Sequence, residues 1–146
     1  MTAAEINQHT GDNLAALDAN SPWKQQLTLA LTTWRDKMLA EVRAGGAKAI
    51  DIELQAIGIG DVIVLTVNGE MFSRFTDDVR KLSGIDGLFV VGYANRGYGY
   101  IPTREAYAEG GYETDTAHFF YNSFRPAPGG LELLANHAAK LVATLK

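Results

Sequence analysis

Glu70, Asn95, Tyr98 and Tyr100 have the side chains and the neighbours that chemistry needs. Glu70 follows the apolar run Val62–Val67 and the pair Asn68-Gly69, so the sequence predicts it where a buried strand hands over to a helix. A helix N-terminus stabilises a carboxylate there and leaves it available to a metal, or uses it only to complement the helix dipole. Tyr98 and Tyr100 stand in the turn Arg96-Gly97-Tyr98-Gly99-Tyr100. Flanking glycines let the backbone come close to another surface. A phenol in such a place can donate to a developing oxyanion, bind a metal through its oxygen, or simply pack as core or lid. Asn95 can serve as an amide donor or as a turn residue with an unusual backbone conformation.

These tyrosines belong to residues 92–112, which hold five tyrosines, an asparagine, two arginines and five glycines directly after the apolar run Leu88–Val91. Closing a turn needs only a glycine, a proline or an asparagine. Aromatic and polar groups on a loop after a buried strand are where α/β proteins place binding sites, although tyrosines on a surface loop also pack onto a core with their hydroxyls in water. The histidines His9, His118 and His137 share no metal-ligand spacing, and only His118 lies near the aromatic segment. Ser73, Ser83 and Ser123 lack a GxSxG elbow, and Gly97-Tyr98-Gly99 is not a dinucleotide fingerprint. Asp77, Asp78, Glu105 and Glu109 read as solvated helix charges.

The bulk properties bound the function. The chain has 146 residues, 47% hydrophobic and 21% charged, which suits one domain with a real core. Its formal net charge of −4, with no run of Lys and Arg, argues against nucleic acid as the main partner. It has no cysteine, which excludes disulfides, thiolate metal sites and cysteine nucleophiles. Neither a signal peptide nor an apolar run of membrane-spanning length is read, so the expected location is cytoplasmic.

The elements that must position the candidates follow from periodicity. Residues 1–20 are polar and weakly patterned and read as a loose lead-in, with residues 21–146 as a single domain. Ser21-Pro22 is a helix start. Trp23, Leu27, Ala30, Trp34, Met38 and Val42 recur on one helix face, and Gly45-Gly46 ends that helix. Ile50, Ile52, Leu54 and Ala56 alternate with polar residues as a half-buried strand. The turn Gly58-Ile59-Gly60-Asp61 leads into Val62–Val67, a strand expected to be covered on both faces and paired antiparallel with the first. A helix over 71–82, with Phe72, Phe75, Val79 and Leu82 as its stripe, precedes a third buried strand at Leu88–Val91. A short helix over 103–108 follows. A last helix after Gly129-Gly130 carries Leu131, Leu134, Ala138, Leu141 and Leu145 on one side. The order α-β-β-α-β-α implies an α/β (α+β) fold, a small mixed sheet with packed helices.

Taken together, LQAIGIGDVIVLTVNGEMF (54–72), VVGYANRGYGYIPTREAYAEGGYE (90–113) and the proline-rich loop and final helix after Phe124 resemble the neutral/alkaline non-lysosomal ceramidase family and its bacterial ceramidase-like relatives. The similarity begins near Ala49 and corresponds to the C-terminal portion of the family's catalytic domain. It implies a zinc-dependent amide hydrolase, in which two histidines, a glutamate and a tyrosine hold zinc and the activated water attacks the amide of an N-acyl sphingoid lipid. By motif, the zinc glutamate is Glu70 and the zinc tyrosine lies in the Asn95–Tyr100 turn. The family has tyrosines two and five residues after its Asn; here those positions are Gly97 and Tyr100, with Tyr98 displaced by one. Tyr100 keeps register with Ile101-Pro102-Thr103, and either Tyr98 or Tyr100 could face the metal. The family's proline before Gly-Glu is Asn68 here. Its two zinc histidines belong to a preceding part that this chain does not match.

The resemblance therefore implies a portion of a ceramidase-like hydrolase that contributes Glu70 and a tyrosine, with a partner chain or an N-terminal half supplying the histidines. A homo-oligomer is the other candidate partner. Two rival readings stand beside it. One is a non-catalytic binding or interaction module with the same fold. The other is a small stand-alone enzyme without zinc, which would bring His118 within hydrogen-bond reach of Glu70 or Tyr98.

Overall fold

A computed structural model describes residues 1–45 and 49–146. Gly46, expected to help end the second helix, lies outside the described residues. The fold is mixed α/β. Helices α1 (Ala3–Ala15) and α2 (Lys24–Arg43) precede the hairpin β1 (Leu54–Ile59) and β2 (Val62–Val67). The two-residue strand β3 (Glu70–Met71), helix α3 (Arg74–Ser83), strand β4 (Leu88–Val91) and the two-residue strand β5 (Tyr100–Ile101) follow. The chain then forms α4 (Ala106–Glu109), a π-helical turn (Tyr112–Thr116), α5 (Ala117–Phe120) and α6 (Gly130–Ala143). Among the described residues no helix is long and apolar enough to cross a membrane.

Residues 1–20 are not the loose lead-in that their polarity suggested. Thr2 caps α1 by accepting from the Glu5 backbone, and Glu5 returns the bond to the Thr2 backbone at 2.6 Å, a capping box. Ile6 and Thr10 are fully buried on the side that meets α2. Thr10 tolerates burial because its hydroxyl donates to the Ile6 carbonyl at 2.9 Å. Helix α2 starts later than Ser21-Pro22. Ser21 instead closes a turn, accepting from the Trp23 and Lys24 backbones, and Trp23 remains exposed.

The hairpin forms, but its first strand begins at Leu54, so Ile50 and Ile52, read as part of it, precede it; Ile57 stands opposite Val64 and Ile59 opposite Val62. Strand β1 runs on to Ile59, so the turn shrinks to Gly60-Asp61, where Gly60 takes φ 59. Strand β4 joins β2 in parallel, giving the order β1-β2-β4. Helices α3 and α6 cover one face of this sheet. Ile63, Leu65, Val67 and Leu88 meet Phe75, Val79, Leu131, Ala138 and Val142 there in a buried aliphatic core. Among the described residues no element covers the other face. Val62 and Val64 are only half-buried, and Phe89 is 62% exposed, so neither β2 nor β4 is covered on both faces. A second, smaller core lies between α1, α2 and α5, built from Ile6, Leu31, Trp34, Met38 and Phe119.

Candidate functional site

Glu70 lies in β3 rather than at a helix start; Phe72 and Ser73 separate that strand from α3. Strand β3 pairs in parallel with β5, so Glu70 stands directly opposite Tyr100, and the Glu70 backbone N–H donates to the Gly99 carbonyl at 2.9 Å. The two residues singled out as metal ligands are thus neighbours across a two-strand ladder. Gly69, just before Glu70, does not use a positive φ.

The Glu70 side chain is 5% exposed, and its carboxylate is gripped by phenols rather than by helix N–H groups. The Tyr93 hydroxyl donates to one oxygen and the Tyr121 hydroxyl to the other. Tyr100 stands opposite: the Glu70 carboxylate, then desolvation, push its hydroxyl up to about 12. Tyr93 and Tyr121 are also raised, in each case chiefly by the hydrogen bond to Glu70, because a neighbouring carboxylate resists a second negative charge. No ion pair among the described residues includes Glu70. A buried carboxylate satisfied only by neutral donors is an unusual arrangement, since buried charges are normally paired with a cation or a metal.

The backbone that delivers Tyr93 is strained. Tyr93 takes φ 57 and Asn95 φ 63, the left-handed region that a bulky side chain avoids. Such a conformation costs about 1–3 kcal/mol and persists where the surroundings enforce it. Here the Tyr93 N–H donates to the Gly69 carbonyl and the Ala94 N–H to the Val67 carbonyl, tying the loop across the end of β2. Gly99 fits the other side. Its φ is 88, and an added Cβ would stand 2.7 Å from the Tyr121 ring.

The remaining candidates lie elsewhere. Asn95 is exposed and serves the turn. Tyr98 donates its backbone N–H to the Asn68 carbonyl, while its ring and hydroxyl face Arg96, whose guanidinium carbon is 5.3 Å from the ring centre. No hydrogen bond joins Tyr98 to Glu70 among the described residues. Asn68 itself is buried and accepts from the Glu53 backbone at 2.9 Å.

His118 lines the same narrow crevice as Tyr98, Tyr100 and Tyr121. Its Nε2 is engaged with Nε2 of His9 at 3.2 Å, and its buried Nδ1 has no hydrogen-bond partner in the described structure. Neither nitrogen bonds Glu70 or Tyr98. The two imidazoles lie 15° from parallel, against Trp34 and Phe119. Burial, then His9 and Arg125, push His118 down to about 3. Burial is also the main cause that lowers His9. Among the described residues no three His, Cys, Asp or Glu side chains group as a metal site.

Sequence reasoning missed Tyr93 and Tyr121 as the residues that hold Glu70. Of the chain's six tyrosines, Tyr121 alone lies outside residues 92–112, and nothing in its neighbourhood marks it as a partner of Glu70. Compared with protein-family models, with curated proteins and with solved structures, the chain matches none.

Proposed function

We propose that this chain is a portion of a zinc-dependent hydrolase of linear amides, of the neutral ceramidase kind, contributing Glu70 and Tyr100 to a metal site completed by another polypeptide. The observation that carries this reading is the buried Glu70 carboxylate, set opposite Tyr100 and without a cationic partner among the described residues. A carboxylate and a phenol fit half of a four-ligand zinc set. The other half must come from outside, since His9 and His118 are engaged with each other in the helical core.

When bound, zinc would act as a Lewis acid and lower the pKa of a water. The residues of this chain do the positioning. Tyr93 and Tyr121 fix the direction of the Glu70 carboxylate, as outer hydrogen bonds do for metal-ligating carboxylates. Glu70 favours the protonated form of Tyr100, and a dication held by these residues would favour the ionised one.

Zinc titration by calorimetry, followed by dialysis and elemental analysis, tests the reading. With two ligands, the wild-type chain should bind zinc weakly and lose it on dialysis. Glu70→Gln should remove that binding while leaving the far-UV spectrum unchanged. Equal zinc binding by wild type and Glu70→Gln, or none by either, overturns it.

A further inference from the structure

Ile6 holds α1 to the rest of the chain by apolar packing in the aromatic core, and His9 holds it by bonding His118 on α5 and the backbone of Asp115. Apolar packing is indifferent to protons; the imidazole pair is not. We infer that the His9–His118 pair is an acid-sensitive latch, which frees α1 from α5 while the sheet core stays folded. The two Nε2 atoms are 3.2 Å apart, so one ring donates, the other accepts, and one proton lies between them. A further proton has no favourable place. On the accepting Nε2 it sets N–H against N–H. On Nδ1 of His118 it charges a ring that is 4% exposed, at a nitrogen with no hydrogen-bond partner in the described structure. His9 is half-buried and edges an open groove, so protons reach the pair from solvent.

The neighbouring elements do not offset a charge on His118. Trp34 from α2 and Phe119 from α5 pack against the ring and do not titrate. The Asp115 carboxylate, in the π-helical turn, is bonded to Arg125 at 2.7 Å, and Arg125 disfavours the charged form of both imidazoles. Asp12 on α1 favours the charged form of His9. Glu113, Tyr98, Tyr100 and Tyr121 share the crevice of His118, and none is hydrogen-bonded to its ring among the described residues. Release leaves the sheet intact, because the core between the sheet and α3 and α6 takes no residue from α1. It uncovers Ile6, Trp34 and Phe119, so the chain presents this apolar surface in acid. The latch is independent of Glu70 and of zinc, so the metal titration and the following experiment fail separately.

Native-state hydrogen exchange in low urea tests the latch on the wild-type chain at pH 7 and at about pH 5.5, which lies above the ordinary carboxylate range, with rates corrected for intrinsic exchange. The α1 amides should exchange through an opening almost indifferent to urea, since it exposes little surface. Its equilibrium constant should rise several-fold at the lower pH, up to about eightfold, as His118 takes up a proton in the open form. The β2 amides should exchange through the urea-dependent global transition. His118→Phe keeps a ring in place and removes the proton, and should flatten the α1 response. Asp12→Asn should leave that response in place. The latch is overturned by α1 amides that open only together with β2, or by an α1 opening equal at the two pH values. It is overturned equally by a response that survives His118→Phe or vanishes in Asp12→Asn. The wild-type measurement decides alone should His118→Phe fail to fold.

Discussion

Around β2 the buried side chains are aliphatic or phenylalanine, and none of them titrates: Ile63, Leu65, Val67, Phe75, Leu88 and Leu131. Between α1, α2 and α5 they are Ile6, Leu31, Trp34, Met38 and Phe119, with the imidazoles of His9 and His118 packed among the rings. The first core is held by apolar burial, which is indifferent to pH. The second adds directional polar links: the imidazole pair, and the Trp34 indole N–H donating to the Ser123 carbonyl at 2.6 Å. Tyr121 follows α5 out of the second core and reaches Glu70 beside the first. The candidate site therefore lies on the seam between two regions of different chemistry.

The largest test of this contrast is a deletion in each core. Leu65 and Trp34 are both fully buried. Leu65→Ala should cost about 2–5 kcal/mol and Trp34→Ala about 3–5 kcal/mol. Their consequences should differ. Helices α1 and α2 end at Arg43, and a unit of about 40 residues is too small to fold unaided. Leu65→Ala should thus lower the urea midpoint seen by far-UV circular dichroism and by tryptophan fluorescence together. Trp34→Ala should leave a cooperative transition from the sheet core, visible by hydrogen exchange at the β2 amides. Protection lost at those amides in Trp34→Ala would show that the two regions are one unit.

The seam itself is tested at Gly99. A methyl group there meets the Tyr121 ring, at a φ that side chains rarely adopt. Gly99→Ala should cost about 1–3 kcal/mol through overpacking. It should also move Tyr121 away from Glu70 and bring its hydroxyl titration down toward the ordinary value, followed by ultraviolet difference absorbance. An unchanged tyrosine titration would mean that the ring yields without releasing the carboxylate.

The two regions were unequally legible in the sequence. The continuous apolar run Val62–Val67 and the three- and four-residue steps of Leu131, Leu134 and Ala138 are local signals, and they gave β2 and α6. Helix α1 also carried a local signal, the Thr2-x-x-Glu5 box, but its buried stripe includes Thr10, which hides it from a hydrophobic count. Glu70 and Tyr100 were legible one at a time. Their juxtaposition depends on β3 and β5, two-residue strands with no periodicity to read. The contacts of Glu70 with Tyr93 and Tyr121 span 23 and 51 residues, so they follow from the assembled fold and from no local pattern.

The smallest effect expected is a pH slope confined to the aromatic side. The groups facing the imidazole pair are Trp34 from α2, Phe119 beside His118 on α5, Asp12 on α1, and Asp115 with Arg125, which are bonded to each other at 2.7 Å. Burial keeps His118 neutral in the fold, down to about 3 against 6.5 for an ordinary histidine. Below 6.5 the unfolded chain therefore binds more protons than the folded one. The stability associated with the neutral ring is complete above about 6.5 and drains away as the pH falls toward 3. Between pH 7 and pH 5 the wild type should lose about 1–2 kcal/mol more than His118→Phe, which keeps the ring packing and removes the titration. Urea unfolding followed by tryptophan fluorescence at the two pH values measures the difference. Equal losses in the two proteins would move the acid sensitivity from the imidazole pair to the surface carboxylates, and the chemical contrast between the two cores would then carry no functional weight.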